Sequence, residues 1–310
     1  MSNHNKAVKV AAIQLEPKIG DWHANLQMCE NMIHEAARQK AEWIILPEFF
    51  TTGMAFEPKI VEAIQSPNGK AFNLLLELAK KHRAYVGGSF IVRDDDNIIR
   101  NAFFLASPDG ILGRHDKDLP TMWENCFYSG GEDDGIIATS EQTVGVALCW
   151  EFMRSQTARR LRNKIDVVVG GSCWWSVPAW FPKSLTERWE EKNEQTALES
   201  VRSFATYVGA PIIHAAHVGS IECSLPWMPV RYKGHYEAGS MIVDGEGNIV
   251  SIRNRYEGPG IVTGNIKIGK TEPKREIPDS YWLHKRGLIP SFAWIYQRWH
   301  GKRWYKKHLI

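Results

Sequence analysis

Short apolar runs alternate with amphipathic stretches along most of the chain. The first run, at residues 8–15, is almost uninterrupted and predicts a buried strand. Residues 25–40 instead repeat apolar positions every three or four residues, as at Cys29 and Ile33, which is typical of a helix with one buried face. The same pattern then predicts a strand at 43–46, a helix at 71–82, a strand at 84–88 and a hairpin at 101–106 and 110–114.

The second half of the chain predicts the same order of elements. These are a strand at 143–149, a helix at 156–163, a strand at 167–170, a helix at 187–207, a strand at 211–216 and a hairpin at 240–243 and 248–253. The two halves share this order without being a sequence repeat. Short buried strands between amphipathic helices indicate an α/β protein whose sheets are covered by helices.

Composition narrows the class of protein and its location. The 310 residues are 44% hydrophobic and 24% charged, which is typical of a globular chain. A net charge of +3 is too small to indicate a nucleic-acid partner. No apolar run approaches the roughly 20 residues of a membrane span, and residues 1–6 lead into the first strand without the apolar core of a signal peptide. We therefore expect a cytoplasmic protein with no membrane partner.

The cysteines argue for a reduced protein with a candidate nucleophile. There are five, an odd number without a CxxC pair, which argues against a disulfide framework or a cysteine-rich zinc site. Cys149 ends an apolar strand and precedes a helix, whose N-terminus would favour the thiolate. The alternative is a buried structural cysteine, because free cysteine is among the most buried residue types.

Three charged residues are further candidates for chemistry. Glu48 follows a strand and two phenylalanines follow it, so its carboxylate would be partly desolvated and a better base. Lys117 follows the first hairpin, where a lysine beside carboxylates can hold positive charge at a developing oxyanion. Glu124 lies seven residues further on. The alternatives are a loop-capping role for Glu48 and ordinary solvated loop charges for Lys117 and Glu124.

The order and setting of these residues resemble the nitrilase superfamily of carbon–nitrogen hydrolases. The motifs are Leu-Pro-Glu at 46–48, Lys-Asp-Leu-Pro-Thr at 117–121 followed by Glu124, and Leu-Cys-Trp-Glu at 148–151. The resemblance runs from about residue 8 to residue 266. It implies a four-layer α-β-β-α sandwich with duplicated half-units, usually dimeric or larger, that needs neither metal nor cofactor.

The resemblance also implies a role for each residue. Glu48 removes the proton of Cys149, and the thiolate attacks the carbon of a C–N bond. Lys117 and the backbone N–H of Trp150 stabilise the negative charge that develops, while Glu124 orients Lys117 or the substrate nitrogen. Ammonia leaves, and water hydrolyses the thioester that remains.

The residues after the nucleophile bear on the substrate. Cys-Trp-Glu at 149–151 is the form seen in the nitrilase branch, and the Pro-Glu that follows in amidase branches is missing after Arg154. Most of the superfamily nevertheless cleaves amides. We expect a small-molecule amide as substrate, with a nitrile as the alternative and a non-catalytic scaffold of the same fold as a lower-ranked one.

Aromatic residues near the candidate nucleophile indicate an apolar or aromatic substrate portion. The loop at 171–181 contains Trp174, Trp175, Trp180 and Phe181. We expect Trp174, Trp175 and also Trp123 to bind substrate. The alternative is ordinary packing against the long helix that follows the loop.

Two histidines suggest other chemistry. His214 and His217 could form a metal pair, but a spacing of three on a strand directs them to opposite faces. A thiol protease that uses Cys149 and His214 would need neither Glu48 nor Lys117. We expect no metal.

The composition changes near residue 271, so we expect a hydrolase domain at 1–270 and an aromatic and basic extension at 271–310. The extension contains Trp282, Trp294, Trp299 and Trp304. Exposed tryptophans are an association hazard, so we expect the extension to pack on the domain or on a partner subunit. Its bases would also suit nucleic acid or an acidic membrane, but we favour a homo-oligomer.

Overall fold

The structure, a computed structural model, describes residues 7–179, 183–226, 228–285 and 287–310. Its helices are α1 Trp22–Arg38, α2 Pro58–Glu62, α3 Lys70–His82, α4 Ser155–Leu161, α5 Lys183–Val208 and α6 Leu288–His308. Its strands are β1 Ala7–Leu15, β2 Trp43–Ile45, β3 Tyr85–Arg93, β4 Ile99–Ser107, β5 Gly110–Asp116, β6 Ile136–Ala138, β7 Thr143–Leu148, β8 Val167–Ser172, β9 Ile212–His217, β10 Ser220–Leu225, β11 Met228–His235, β12 Ser240–Val243, β13 Ile249–Arg253 and β14 Gly260–Lys267. Short 3-10 helices cover Met122–Cys126, Cys149–Met153 and Arg255–Glu257.

Each half of the chain builds a sheet by the same route. In the first half β1, β2 and β3 are parallel neighbours, and β4 and β5 extend the sheet as antiparallel strands. In the second half β7, β8 and β9 are parallel, and β12 and β13 extend that sheet in the same antiparallel way. The predicted duplication of strand, helix, strand, helix, strand and hairpin is therefore confirmed.

The two sheets are joined along β1 and β9. Gln14 pairs with Ala216 and Leu15 with His217, both in parallel register. Strand β14 adds to β1, strand β6 adds to β7, and β10 with β11 forms a separate hairpin. This junction brings the strand ends of the two halves close together.

Four layers follow from how the apolar residues divide between the faces of each sheet. On β1, Val10 and Ala12 pack against the second sheet, whereas Ala11 and Ile13 pack with α1 and α3. A strand that is buried on both faces needs a continuous apolar run, which explains the lack of alternation in β1. Helices α4 and α5 cover the outer face of the second sheet. The layers are helix, sheet, sheet and helix, as predicted.

Some boundaries and strands differ from the prediction. Helix α1 begins at Trp22, not at residue 25, because the Asp21 side chain caps it by accepting the backbone N–H of Ala24 at 3.1 Å. Strand β14 was not predicted, since Gly260 and Gly264 weaken its pattern. Strands β10 and β11 are also absent from the prediction, although Ile221, Cys223 and Leu225 alternate with polar residues as in a half-buried strand.

Helix α6 packs on its own domain, against the 3-10 helix Met122–Cys126. The Tyr305 hydroxyl accepts the backbone N–H of Ile99 at 2.9 Å, and both groups are buried. A Cβ atom at Gly301 would lie 2.6 Å from the Cβ of Asn125, so glycine is required for this close approach. None of the helices in the described ranges is long and apolar enough to cross a bilayer.

Candidate active site

The carboxyl ends of the parallel strands place the candidate residues at one edge of the paired sheets. Glu48 follows β2, Cys149 follows β7 and Cys173 follows β8. Lys117 follows β5 and is directed to the same region by the β4–β5 hairpin. Sites in α/β sheets form at such strand ends because the loops there converge. The structure thus brings together residues that are far apart in the chain.

The Glu48 carboxylate is fully buried and held by three donors. Its Oε1 lies 2.8 Å from Lys117 Nζ and accepts the side-chain amide of Asn101 at 2.9 Å. Its Oε2 accepts the backbone N–H of Cys173 at 3.2 Å. These bonds fix the carboxylate in the site, so Glu48 does not cap the loop that follows it.

Lys117 is also fully buried and lies between two carboxylates. Its Nζ is 2.9 Å from Glu124 Oε2 as well as 2.8 Å from Glu48. It donates a further hydrogen bond to Thr121 Oγ1 at 3.2 Å. Tyr128 donates its hydroxyl to the same Glu124 oxygen at 2.5 Å. Lys117 and Glu124 are therefore part of a buried network and are not solvated loop charges.

Cys149 occupies a strained turn beside this network. It begins a 3-10 helix with a φ of +51°, a left-handed conformation that is costly for a residue with a side chain. Only 2% of its surface is exposed. Leu148, the residue before it, pairs with Gly171 on β8, two residues before Cys173, whose backbone N–H donates to Glu48. Strand β8 therefore places the turn that begins at Cys149 beside the segment that binds the Glu48 carboxylate.

Burial determines the resting protonation of the three groups. It raises the pKa of the Glu48 carboxyl to about 7, against the lowering effect of Lys117. Burial would lower the pKa of Lys117, but Glu124 and Glu48 hold it well above its usual value. Burial is the largest cause of the high Glu48 pKa, and the charge of Glu124, which shares Lys117 with Glu48, raises this pKa further.

A helix N-terminus would favour the Cys149 thiolate, but burial of the thiol acts in the opposite direction. Burial raises the pKa of the Cys149 thiol well above its usual value, and the charge of Glu48 raises it further. The one-turn 3-10 helix at Cys149–Met153 is too short for its dipole to offset this desolvation. The arrangement therefore contains a protonated thiol, a neighbouring carboxyl that can exchange protons near neutrality, and a fixed cation.

Glu151 connects the turn that begins at Cys149 to the segment that carries Lys117. Its carboxylate accepts the backbone N–H of Leu148 at 2.8 Å and that of Asp118 at 3.1 Å. It also lies 3.1 Å from His115 Nε2. Burial would lower the pKa of His115, but the charge of Glu151 and a hydrogen bond to Asp133 are among the effects that raise it to about 10. A charged pair thus holds the two segments together.

Sequence reasoning missed several residues of this network: Asn101, His115, Thr121, Tyr128 and Cys173. Cys173 could have been found, because it follows a strand end as Cys149 does. His115 could also have been found, since it precedes Lys117 by two positions. Asn101 had no such signal, because it approaches Glu48 only through the pairing of β3 with β4.

The predicted substrate-binding tryptophans divide between two aromatic clusters. Trp174 packs in the same cluster as Cys149 and Trp150, and its indole N–H donates to Asn193 on α5 at 3.1 Å. Trp123 instead packs on Trp175, with ring centroids 4.0 Å apart. Two other aromatic residues of this loop, Trp180 and Phe181, lie outside the described residues.

The two histidines of β9 bind backbone and hydroxyl groups. His214 Nε2 lies 2.7 Å from Ser172 Oγ, and its Nδ1 lies 3.3 Å from the Gly239 carbonyl oxygen. His217 Nε2 lies 2.6 Å from the carbonyl oxygen of Glu48. Burial lowers the pKa of each to about 4. Both nitrogens of His214 are engaged, which argues against its use as a base for Cys149.

A separate cluster has the composition of a cation site. Ligand atoms of Glu190, His235 and Glu237 lie within 4.8 Å of one another. Arg255 Nη1 lies 3.2 Å from Glu190, 2.9 Å from His235 Nε2 and 3.0 Å from Glu237. The guanidinium thus supplies the positive charge, and we interpret the cluster as an ion-pair network. The backbone N–H of Glu237 donates to the Trp174 carbonyl at 2.9 Å, so the network supports the aromatic loop.

Comparison with known proteins assigns the chain to a family. Residues 9–276 match the family described as carbon–nitrogen hydrolase. The chain is a carbon–nitrogen hydrolase of the nitrilase superfamily. The hydrolase is 30% identical to a nitrilase of Pyrococcus abyssi over 166 residues, which are 52% of this chain and 63% of that protein. It is 27% identical to an omega-amidase of Xenopus laevis over 230 residues, which are 69% of this chain and 79% of that protein.

A solved structure agrees with the fold of the hydrolase. The carbon–nitrogen hydrolase of Helicobacter pylori G27 superposes with a TM-score of 0.70 at 17% identity, over 86% of this chain and 90% of that one. The predicted superfamily, the four-layer fold and the enzyme class, a hydrolase of carbon–nitrogen bonds, are confirmed. The roles of individual residues and the choice of substrate stay predictions.

Proposed function

We propose that the hydrolase cleaves a small-molecule amide to a carboxylic acid and ammonia through a thioester on Cys149. In the first half-reaction Glu48 takes the thiol proton, and the sulfur forms a bond to the amide carbon. The C–N bond breaks as Glu48 returns that proton to the leaving nitrogen, and ammonia departs. Water then loses a proton to Glu48 and attacks the thioester, which releases the acid and restores the thiol.

The negative charge that develops on the amide oxygen needs a donor that is in place before the reaction. We assign this role to the Lys117 ammonium and the backbone N–H of Trp150, which follows the nucleophile. Glu124 positions Lys117 through the 2.9 Å ion pair between them. Such fixed donors are typically worth about a hundredfold to a thousandfold in kcat each.

One observation carries the proposal: Glu48 and Lys117 form a fully buried ion pair of 2.8 Å beside the strained turn at Cys149, which is 2% exposed. This arrangement supports the roles of base, cation and nucleophile that the proposal gives to the three residues. A purely structural ion pair would not require a strained cysteine beside it. The family shows the class of reaction, and this geometry supports the mechanism within that class.

Ammonia release from a panel of amides and nitriles tests the proposal. We expect Cys149→Ala to lower turnover by at least about a thousandfold, because the nucleophile is lost. Cys29→Ala is the matched control, since Cys29 is equally buried but lies on α1, outside the site. Full activity of Cys149→Ala would refute the thioester mechanism.

Nitrile hydrolysis is the second candidate, because the chain has Cys-Trp-Glu at 149–151 and is similar to a protein named as a nitrilase. Both reactions share the attack by Cys149 and differ in the substrate atom that carries the developing charge. The same panel separates them. Ammonia from amides but not from the matching nitriles is the expected result, and the reverse would establish the alternative.

A further inference from the structure

The C-terminal extension contributes a tryptophan to the buried cluster that contains Cys149. Cys149, Trp150, Trp174 and Trp294 pack in one buried cluster, although Trp294 belongs to α6. The Trp150 and Trp294 rings are stacked, with centroids 5.2 Å apart and an angle of 18° between their planes. Trp294 is only 7% exposed. A residue 145 positions from Cys149 in the chain therefore packs on Trp150, which directly follows Cys149.

A second part of the extension is attached directly to the turn of the nucleophile. The Leu283 N–H donates to the Met153 carbonyl at 2.8 Å, and the Ser155 N–H donates to the Tyr281 carbonyl at 3.1 Å. Between these bonds, the Trp282 ring meets the Trp150 ring edge to face at 5.7 Å. Backbone hydrogen bonds of the residues before and after Trp282 therefore attach the extension to the segment that follows Cys149.

The position of Trp294 is fixed by the rest of α6. Gly301 allows the helix to approach Asn125 closely, and Tyr305 is bonded to Ile99. Both contacts lie on the side of α6 that faces the domain. Trp299 lies on the same helix but is 53% exposed, so the two tryptophans have opposite environments.

We propose that Trp294 is a specificity-determining residue, which limits the size of the uncharged group that a substrate can place beside Cys149. This inference rests on the proposed function and adds to it a substrate class. The rings of this cluster are the Trp150, Trp174, Trp282 and Trp294 indoles. The Arg154 guanidinium beside Trp150 is already ion-paired with Asp118. A charged group would lose its hydration against these rings, whereas an apolar or planar group would gain contact area.

The first test compares turnover of a small and a bulky amide, propionamide and 3-phenylpropionamide. Trp294→Ala should raise the ratio of kcat/KM for the bulky amide to that for the small one by about tenfold or more. Trp294→Leu should give a smaller increase in this ratio and Trp294→Phe the smallest, because each keeps more of the side-chain volume than alanine does. Trp299→Ala is the matched control and should leave the ratio unchanged.

The second test needs no turnover and so remains informative if the proposed function is wrong. Cys149 is alkylated with iodoacetamide or with N-phenylmaleimide, and the modified peptide is quantified by mass spectrometry. Trp294→Ala should accelerate the reaction of Cys149 with the bulkier maleimide by about tenfold or more over wild type and Trp299→Ala. Failure of wild type to hydrolyse any amide, together with this acceleration, would reject the amide assignment and keep the role of Trp294.

Fold integrity is followed by thermal unfolding of each variant. If Trp294→Ala does not fold, the leucine and phenylalanine variants decide, since they preserve more of the packing. An unchanged preference for substrate size and unchanged alkylation rates in the folded Trp294 variants would overturn the proposal.

Discussion

At the scale of single residues, burial affects the Glu48 carboxyl and the Cys149 thiol differently from the Lys117 ammonium. Glu48 and Cys149 are both buried, and burial raises the pKa of each. Lys117 stays charged because two carboxylates flank it. In the proposed mechanism the transferable proton therefore moves between the thiol and the carboxyl, while Lys117 keeps its charge. Motifs identified Glu48, Lys117 and Cys149 as candidates, but the direction of the thiol shift depends on burial that only the folded chain provides.

The pH dependence of activity follows from Glu48. Only the ionised carboxylate can accept the thiol proton, and its pKa lies at about 7, above the ordinary value of 4.5. We expect kcat/KM to fall about tenfold for each pH unit below about 7. Initial rates between about pH 5 and about pH 9 measure this. A profile that is level through neutrality and declines only near pH 4.5 would contradict it.

The same shift affects stability with a defined sign. Because the folded pKa is the higher one, the contribution of Glu48 to the free energy of unfolding is complete below about pH 4.5 and is lost as the pH rises through about 7. As the pH rises from about 5 to about 8, the free energy of unfolding measured with urea should therefore fall less for Glu48→Gln than for wild type. Equal losses in the two proteins would show that the Glu48 shift is absent.

At the scale of elements, the periodicity of apolar residues predicts most of the fold. The order of strands and helices in both halves is confirmed because buried strands and one-faced helices have clear patterns. Helix α6 has no such pattern. Trp294 and Tyr305 are buried, whereas Phe292, Ile295 and Trp299 are exposed, so its apolar residues surround the helix. Its contact with the segment that carries Glu124 could not be predicted from the chain alone.

Gly301 tests that contact. Alanine would favour the helix by up to about 1 kcal/mol, but its Cβ would lie 2.6 Å from Asn125, and overpacking of this kind costs about 1–3 kcal/mol. We expect Gly301→Ala to lower the free energy of unfolding and to lower kcat, because Glu124 lies in the displaced segment. Lys302→Ala, at the exposed neighbouring position, is the control. A more stable Gly301→Ala with full kcat would contradict this packing.

At the scale of the whole molecule, the outer face of α6 carries exposed apolar residues that have no place in the site. Phe292 and Ile295 are 69% and 68% exposed. We propose that this face binds a second copy of the chain. The sequence predicts association from the tryptophans of the extension. It does not predict which residues of α6 are exposed, because this depends on the burial of Trp294 and Tyr305.

Solution mass tests this assembly. Wild type should have the mass of two or more chains in analytical ultracentrifugation. Phe292→Glu with Ile295→Glu should reduce it to that of one chain, since two buried charges per subunit would oppose association. A single-chain mass for wild type would remove the proposed oligomer and leave the catalytic site unaffected.

The most direct test of the central claim is the mass of the Cys149 peptide during turnover of an amide. After rapid mixing and acid quenching, we expect a fraction of Cys149 to carry the acyl group of the substrate, and this adduct should disappear when the substrate is exhausted. Steady release of ammonia while Cys149 stays unmodified, together with full activity of Cys149→Ala, would contradict a mechanism in which Glu48 activates this cysteine.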